Sequence, residues 1–312
     1  MRGVSDTYKA QRKRRYRREW RFRLYCRLAM LIALIMLGWL LMTLFALGLP
    51  ALLGGGTTEG TTGRGLDLSL ITQIDSADPA RAGTRTAWFG SAFMVFLAAL
   101  LAIPAGVVSA IYLQEFAPRS GMGRRISRIL EVLINNLAAV PAIVYGLLGL
   151  AVFINGFGLA RSAVLTGGLV LALRIVPTVI IGCRGALSSV PDQIVDGALS
   201  LGASRMQAIF GHKLPLAAPG MATASLLAVA QALGEAAPLL LIGMVAYISS
   251  APDSVTDPAT TLPVQIFMWA QGGTEAWSER AAGAVIVLLL LLLVVHLLAL
   301  WIRARLSKRR SL

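Results

Sequence analysis

Residues 188–215 read SSVPDQIVDGALSLGASRMQAIFGHKLP, and two short helices are written into them. Ser189 offers a capping hydroxyl, Pro191 suits a first turn and Asp192 places an acid near the helix start. Val195, Leu199 and Leu201 then form an apolar stripe that stops at Gly202, a residue able to break the helix. Ser204-Arg205-Met206-Gln207 is a capping box that opens a second helix, and Pro215 is expected to end it. A helical hairpin hinged at Gly202 is therefore expected.

What flanks this hairpin decides the fold class. A hydrocarbon layer about 30 Å thick takes about 20 apolar helical residues, and the chain has six charge-poor stretches of that order. The first lies between Arg27 and Glu59, with its apolar part over 28–49. The second runs between Arg85 and Glu115, and the third between Glu131 and Arg161. The fourth lies between Arg161 and Arg184 and is interrupted by Arg174. The fifth runs from Pro215 to about Ile248 and is interrupted by Glu235, and the sixth lies between Arg280 and Arg303. The expected architecture is an all-α polytopic membrane protein with six transmembrane helices. Its parts are a basic arm over 1–27, a first span over 28–49, an outer loop over 50–85, a five-helix core over 86–303 that encloses the hairpin, and a basic tail over 304–312.

Composition agrees. Hydrophobic residues make up 56% of the 312, only 14% are charged, and the mean hydropathy is +0.72. Soluble domains carry about 25% charged residues, so a soluble enzyme and a disordered chain are excluded. Cys26 and Cys183 are too few for a disulfide framework. The formal charge of +14 is distributed by side. With the N-terminus inside, 23 of the 29 basic residues fall on the inner side, in the arm, the 119–128 segment, Arg184 and the hairpin, and the stretch after Trp301, while eight acids fall outside. Basic residues at span ends favour the cytoplasmic side, so both termini are expected in the cytoplasm. The run RKRRYRR within Tyr8–Tyr25 is then an orientation anchor that touches anionic lipid, and no nucleic-acid partner is expected. No cleaved signal peptide is expected either.

Three positions apart, the hairpin resembles the EAA loop of ABC importer permeases, EAA-x3-G-x9-I-x-LP. Asp196, Gly197, Ala198, Gly202, Leu214 and Pro215 hold its spacing, with Asp196 in place of Glu, Gly197 in place of Ala and His212 in place of Ile. Gly197 weakens the helix by about 1 kcal/mol relative to Ala. His212 is expected to face solvent. Further stretches are IYLQEFAP from Ile111, NNLAAVPAIVYGLLGLAVF from Asn135, ALGEAAPLLLIG from Ala232 and LPVQIFMWA from Leu262. With these, residues 86–305 are similar to the A-type permease family (PstA) of phosphate-specific ABC transporters.

The resemblance implies a MetI-like permease of the bacterial inner membrane whose coupling helices sit in a cleft of the ATP-hydrolysing subunit. It implies three partners: a second permease subunit (PstC-type), an ATPase subunit dimer (PstB-type) and a phosphate-binding protein (PstS-type). It implies no catalysis by this chain and no cofactor. The chain agrees in having no Walker A pattern, no catalytic constellation and only two histidines. Another oxyanion, such as phosphite, a phosphonate, sulfate or molybdate, is the alternative substrate on the same fold.

Ionisable groups inside spans usually face the bundle interior or a water-filled cavity, which makes Arg174 and Glu235 the transport-pathway candidates. Gln231, one helical turn before Glu235, is expected on the same face. The family pattern there is an Arg, two residues, then Gly-Glu-Thr, whereas this chain has Gln231 and Ala236. The bidentate donor has gone from that position. Two readings of Arg174 stand: it meets the anion in place of the missing Arg, or it only neutralises Glu235. Arg184, at the inner end of the fourth span, is read as an orientation anchor, and His296 as an interface residue. Pro104, Pro141 and Pro177 are read as shaping the helices.

Overall fold

Within a hydrocarbon layer each backbone N–H and C=O must find its partner in the chain itself, so apolar stretches of this length fold as helices. The computed structural model describes residues 2–52, 68–118, 120–244 and 247–308, with backbone alone over 2–18 and 306–308. The Gly/Thr-rich part of the expected outer loop, 54–65, and the end of the basic tail, 309–312, lie outside the described residues. The helices are α1 (Arg2–Leu52), α2 (Ser69–Thr72), α3 (Arg85–Ile111), α4 (Gly121–Ala139), α5 (Ala142–Leu148) and α6 (Val164–Ser188). They continue with α7 (Gln193–Ser200), α8 (Arg205–Ala208), α9 (Leu214–Leu233), α10 (Ala237–Leu241), α11 (Leu262–Ala270) and α12 (Glu275–Lys308). Wider π turns extend α3 over Tyr112–Phe116, extend α5 over Gly149–Gly156 and join α8 to α9 over Ile209–Lys213.

Five stretches among the described residues are long and apolar enough to cross a membrane, and α4 and α5 with its π turn, bent by 105° to one another, meet the same requirement only together. Pro141 causes the bend. It has no N–H to donate and drives Val140 to an extended conformation (φ −66°, ψ 132°). The Leu137 carbonyl accepts from the Val140 N–H at 3.0 Å and from the Tyr145 hydroxyl at 2.7 Å, so the break is sealed by polar partners.

α6 is the centre of the bundle. Val170, Leu171, Ile175 and Val179 are fully buried among α3, α5 and α9. α1 lies against α12 and keeps most of its apolar side chains exposed, as a helix facing lipid does. At one end α2 and α11 close a layer with the starts of α3 and α12, around Leu70, Leu262 and Trp269. Asp75 is buried there, accepting from the Trp269 indole at 3.2 Å and the Ser76 backbone at 2.9 Å. Burial pushes its carboxyl above the usual range, against the pull of those two hydrogen bonds.

Three expectations are corrected. Pro215 does not end a helix: it sits in the first turn of α9, and the preceding π turn carries the helix from Arg205 through to Leu233. A π turn is a known accommodation of this kind, since proline can neither donate to nor pack against the carbonyl one turn back. The fifth span is not one helix to Ile248, because α9 stops at Leu233 with Gly234 as its C-cap, and Glu235 lies in the turn before α10. Ser189 does not cap α7. Its hydroxyl donates to the Ala186 carbonyl at 2.7 Å and closes α6, while Asp192 occupies the N-cap.

Candidate functional site

Two charged clusters stand out against this apolar frame. The first is in the middle of the bundle. Arg174 is ten residues into α6, about 15 Å from its start, and Glu235 sits in the break between α9 and α10. Arg174 Nη2 and Glu235 Oε1 are 3.6 Å apart, with side chains 11% and 16% exposed. The guanidinium carbon also lies 5.7 Å from the centre of the Tyr145 ring on α5, within cation–π range. Arg174 Nε is buried without a hydrogen-bond partner. A guanidinium has five N–H donors. At 3.6 Å the carboxylate offsets its charge without a direct hydrogen bond, which leaves donors for an anion.

Arg174 and Glu235 thus come together, but Gln231 does not join them. It is exposed in the last turn of α9, and no hydrogen bond links it to either residue among the described ones. Helical spacing predicted a shared face, but α9 ends at Leu233 with Gly234 as its C-cap, so the two residues are not on one continuous helix. Tyr145 was not foreseen, since nothing in its own neighbourhood marks it as a partner of α6.

The second cluster roots the hairpin. Lys213, in the π turn before α9, is 2% exposed, and its Nζ lies 2.7 Å from Glu115 Oε1 and 2.7 Å from Asp192 Oδ1. Glu115 is itself buried, in the π turn that ends α3. Arg205, opening α8, donates to the Glu115 backbone carbonyl. The Asp192 carboxylate is held by Lys213, and it makes no cap to α7. In the sequence Lys213 is only a basic residue at a span end. Its partner Glu115 was a span boundary.

The hairpin itself follows the sequence closely. Ser204 and Gln207 form the reciprocal capping box, with Ser204 Oγ accepting from the Gln207 N–H. Gly202 takes φ +90°, a conformation that favours glycine, and the Ala203 N–H donates back to Ala198 at 3.1 Å. Val195, Ala198 and Ala208 pack into a small core between the two helices. Asp196, Gly197 and His212 face outward. The expected stripe is corrected beyond Val195: Leu199 is exposed and Leu201 is 91% exposed at the tip, with Met206 also exposed beside the turn.

Arg184 does more than anchor. Its Nη2 donates to Glu131 on α4 at 2.9 Å, tying α6 to α4. His296 is exposed and its Nδ1 contacts the Leu292 carbonyl within α12.

Known proteins resemble this chain over most of its length. A family model described as "Binding-protein-dependent transport system inner membrane component" matches residues 102–312. A second, a domain of unknown function, matches residues 9–55. The chain is 30% identical to the "Phosphate transport system permease protein PstA 1" of Mycobacterium tuberculosis, over 90% of this chain and 86% of that one. It is 29% identical to the "Probable ABC transporter permease protein YqgI" of Bacillus subtilis, over 78% of this chain and 85% of that one. In fold it is similar to a bacterial ABC transporter involved in the import of the acidic polysaccharide alginate. There the TM-score is 0.56 at 16% identity, covering 92% of this chain and 99% of that one.

Proposed function

The chain belongs to the family of binding-protein-dependent transport system inner membrane components, and from that premise we propose that it is the permease subunit of an ATP-driven importer of inorganic phosphate. The observation that carries the substrate is its 30% identity, over most of both chains, to a permease of a phosphate transport system. In this reading both termini lie in the cytoplasm. A second permease subunit lines the other half of the path, an ATPase dimer engages the hairpin, and a phosphate-binding protein delivers the anion from outside.

The chain's own groups suit those roles. Leu201, exposed just before Gly202, presents an apolar side chain to the cleft of an ATPase subunit, with Asp196 on the same helix for a polar contact. Within the membrane an anion needs positive charge, but not enough to trap it. Arg174 supplies the charge, and Glu235 tempers it when the path is empty. An arriving phosphate takes the uncommitted guanidinium donors, since two charge-assisted N–H bonds to one oxyanion exceed what a carboxylate at 3.6 Å provides. Gln231, exposed near the break, adds a neutral amide where the family pattern has a guanidinium. That substitution keeps a second reading in play, an importer of phosphite, a phosphonate, sulfate or molybdate.

The test is uptake of labelled phosphate by the complete complex in liposomes, with the cognate binding protein and with each of those anions as competitor. Saturable uptake that needs ATP and resists a large excess of sulfate and molybdate is expected. Displacement by one of the competitors at low concentration would reassign the substrate.

A further inference from the structure

Beside the root of the hairpin, the chain leaving α3 folds back over α4. Ala117 and Pro118 lie so close to the first turn of α4 that a Cβ on Gly123 would stand 2.7 Å from the Pro118 ring. This approach closes one wall of a cavity of about 500 Å³, with Gln114 and Pro118 on one side and Arg124, Arg128, Glu131 and Arg184 on the other.

The charges in that cavity do not balance. Glu131 is engaged by Arg184 at 2.9 Å. Arg124 and Arg128 are one helical turn apart on one face of α4, an arrangement in which like charges repel, and neither makes an ion pair among the described residues. Arg184 Nε is buried with no hydrogen-bond partner. Three guanidiniums against one carboxylate leave an excess of two positive charges around a space that water alone would fill. Met122, Ile126, Ile129 and Leu133 are also exposed on α4, beside Arg125, and a helix that mixes exposed apolar and basic side chains suits the depth where acyl chains give way to headgroups.

We infer that this cavity binds a phosphate-bearing anion, clasped by Arg124 and Arg128 with Arg184 behind them. Planar guanidiniums match phosphate oxygens two at a time, and the remaining volume admits a small organic group attached to the phosphate. The shared chemistry has two sources: the headgroup of an acidic phospholipid in the leaflet on the hairpin side, or free inorganic phosphate on that side of the membrane. Either occupant rests on the π turn that carries Glu115, and so on the segment that holds Lys213 and the hairpin root.

The experiment uses the whole transporter complex in nanodiscs, with the chain as wild type, Arg124→Gln/Arg128→Gln or Arg125→Gln. Arg125 is exposed on the same helix but does not line the cavity. In discs of phosphatidylglycerol and phosphatidylcholine, native mass spectrometry reads the phosphatidylglycerol retained by the complex. In discs of phosphatidylcholine alone, without binding protein and with Arg174→Gln in every variant, binding of labelled inorganic phosphate is measured. Retention lower by about fivefold for each cavity arginine removed, with Arg125→Gln like wild type, identifies the lipid headgroup. Unchanged retention with phosphate binding lost to the same degree identifies the free anion. No change in either measurement, or an equal change in Arg125→Gln, overturns the site. Both cavity arginines have exposed heads, and equal thermal midpoints for the three proteins check that the fold is kept.

Discussion

The two charged clusters are built on opposite plans. Arg174 and Glu235 stand 3.6 Å apart inside the bundle, with an orphaned Nε and an aromatic face for company. Lys213 is gripped at 2.7 Å by two carboxylates, and the backbone carbonyl of one of them takes a further bond from Arg205. In a low-dielectric setting a charge without tight partners is poised to accept one, whereas a charge with short partners on two sides is a fixed joint. The loose pair sits where the fifth span breaks, and the tight one where the hairpin joins two spans. In the proposed function the loose pair is where an anion is received and the tight one is where movement is passed on.

That contrast is broken most directly at the joint. Lys213→Met leaves Glu115 buried without its cation, which typically destabilises by about 3–5 kcal/mol. A large fall in the thermal midpoint of the purified complex is the expected outcome. Lys213→Met/Glu115→Leu should recover most of it, because two apolar groups replace two charges. If the single variant melts like wild type, the joint is not the fixed one described.

Arg174→Gln sharpens the other half. The loose pair contributes little to packing, so the midpoint should move far less than for Lys213→Met, while phosphate uptake falls by about a hundredfold, the loss of about 3 kcal/mol from a pair of charge-assisted bonds. Wild-type uptake in this variant would leave Arg174 as a structural neutraliser of Glu235. Restored uptake in Arg174→Gln/Gln231→Arg would support the path reading, with the charge moved back to the family position.

The smallest effect is expected at the hairpin tip. Leu201 is almost fully exposed, so Leu201→Ser should leave the fold intact. Its binding to the ATPase subunit should weaken by about tenfold, from the apolar burial lost when the tip docks. Titration of the ATPase subunit against the reconstituted permease dimer measures it, and undiminished affinity would place the docking contact elsewhere on the hairpin.

Much of this was open to reading along the chain because it is local. A span needs only length and the absence of charge, so the membrane stretches could be counted from flanking arginines and glutamates. The capping box at Ser204 and the turn at Gly202 are likewise set by residues within one or two turns. The pairing of Arg174 with Glu235 was anticipated because each is an exception in an apolar run. Lys213 and Glu115 were not, since each sits at a span end where charges are ordinary, and only the tertiary fold brings two π turns together. The expectation that Gln231 shares a face with Glu235 rested on an unbroken helix. Helical periodicity holds only while the helix does, and Gly234 ends it one residue before Glu235.

The continuity of α8, its π turn and α9 has a mechanical meaning. From Arg205 to Leu233 the chain is one unbroken rod of about 42 Å, anchored by Lys213 about a quarter of the way along. A crank of these proportions multiplies displacement: a tilt of about 5° about the anchor shifts the far end by about two and a half times as much as the near end, about 2.6 Å against 1 Å. The far end is where Glu235 begins, and such a shift is comparable to the distance that separates it from Arg174. In the proposed reading, a small stroke at the hairpin would therefore be enough to open or close an ion pair deep in the bundle.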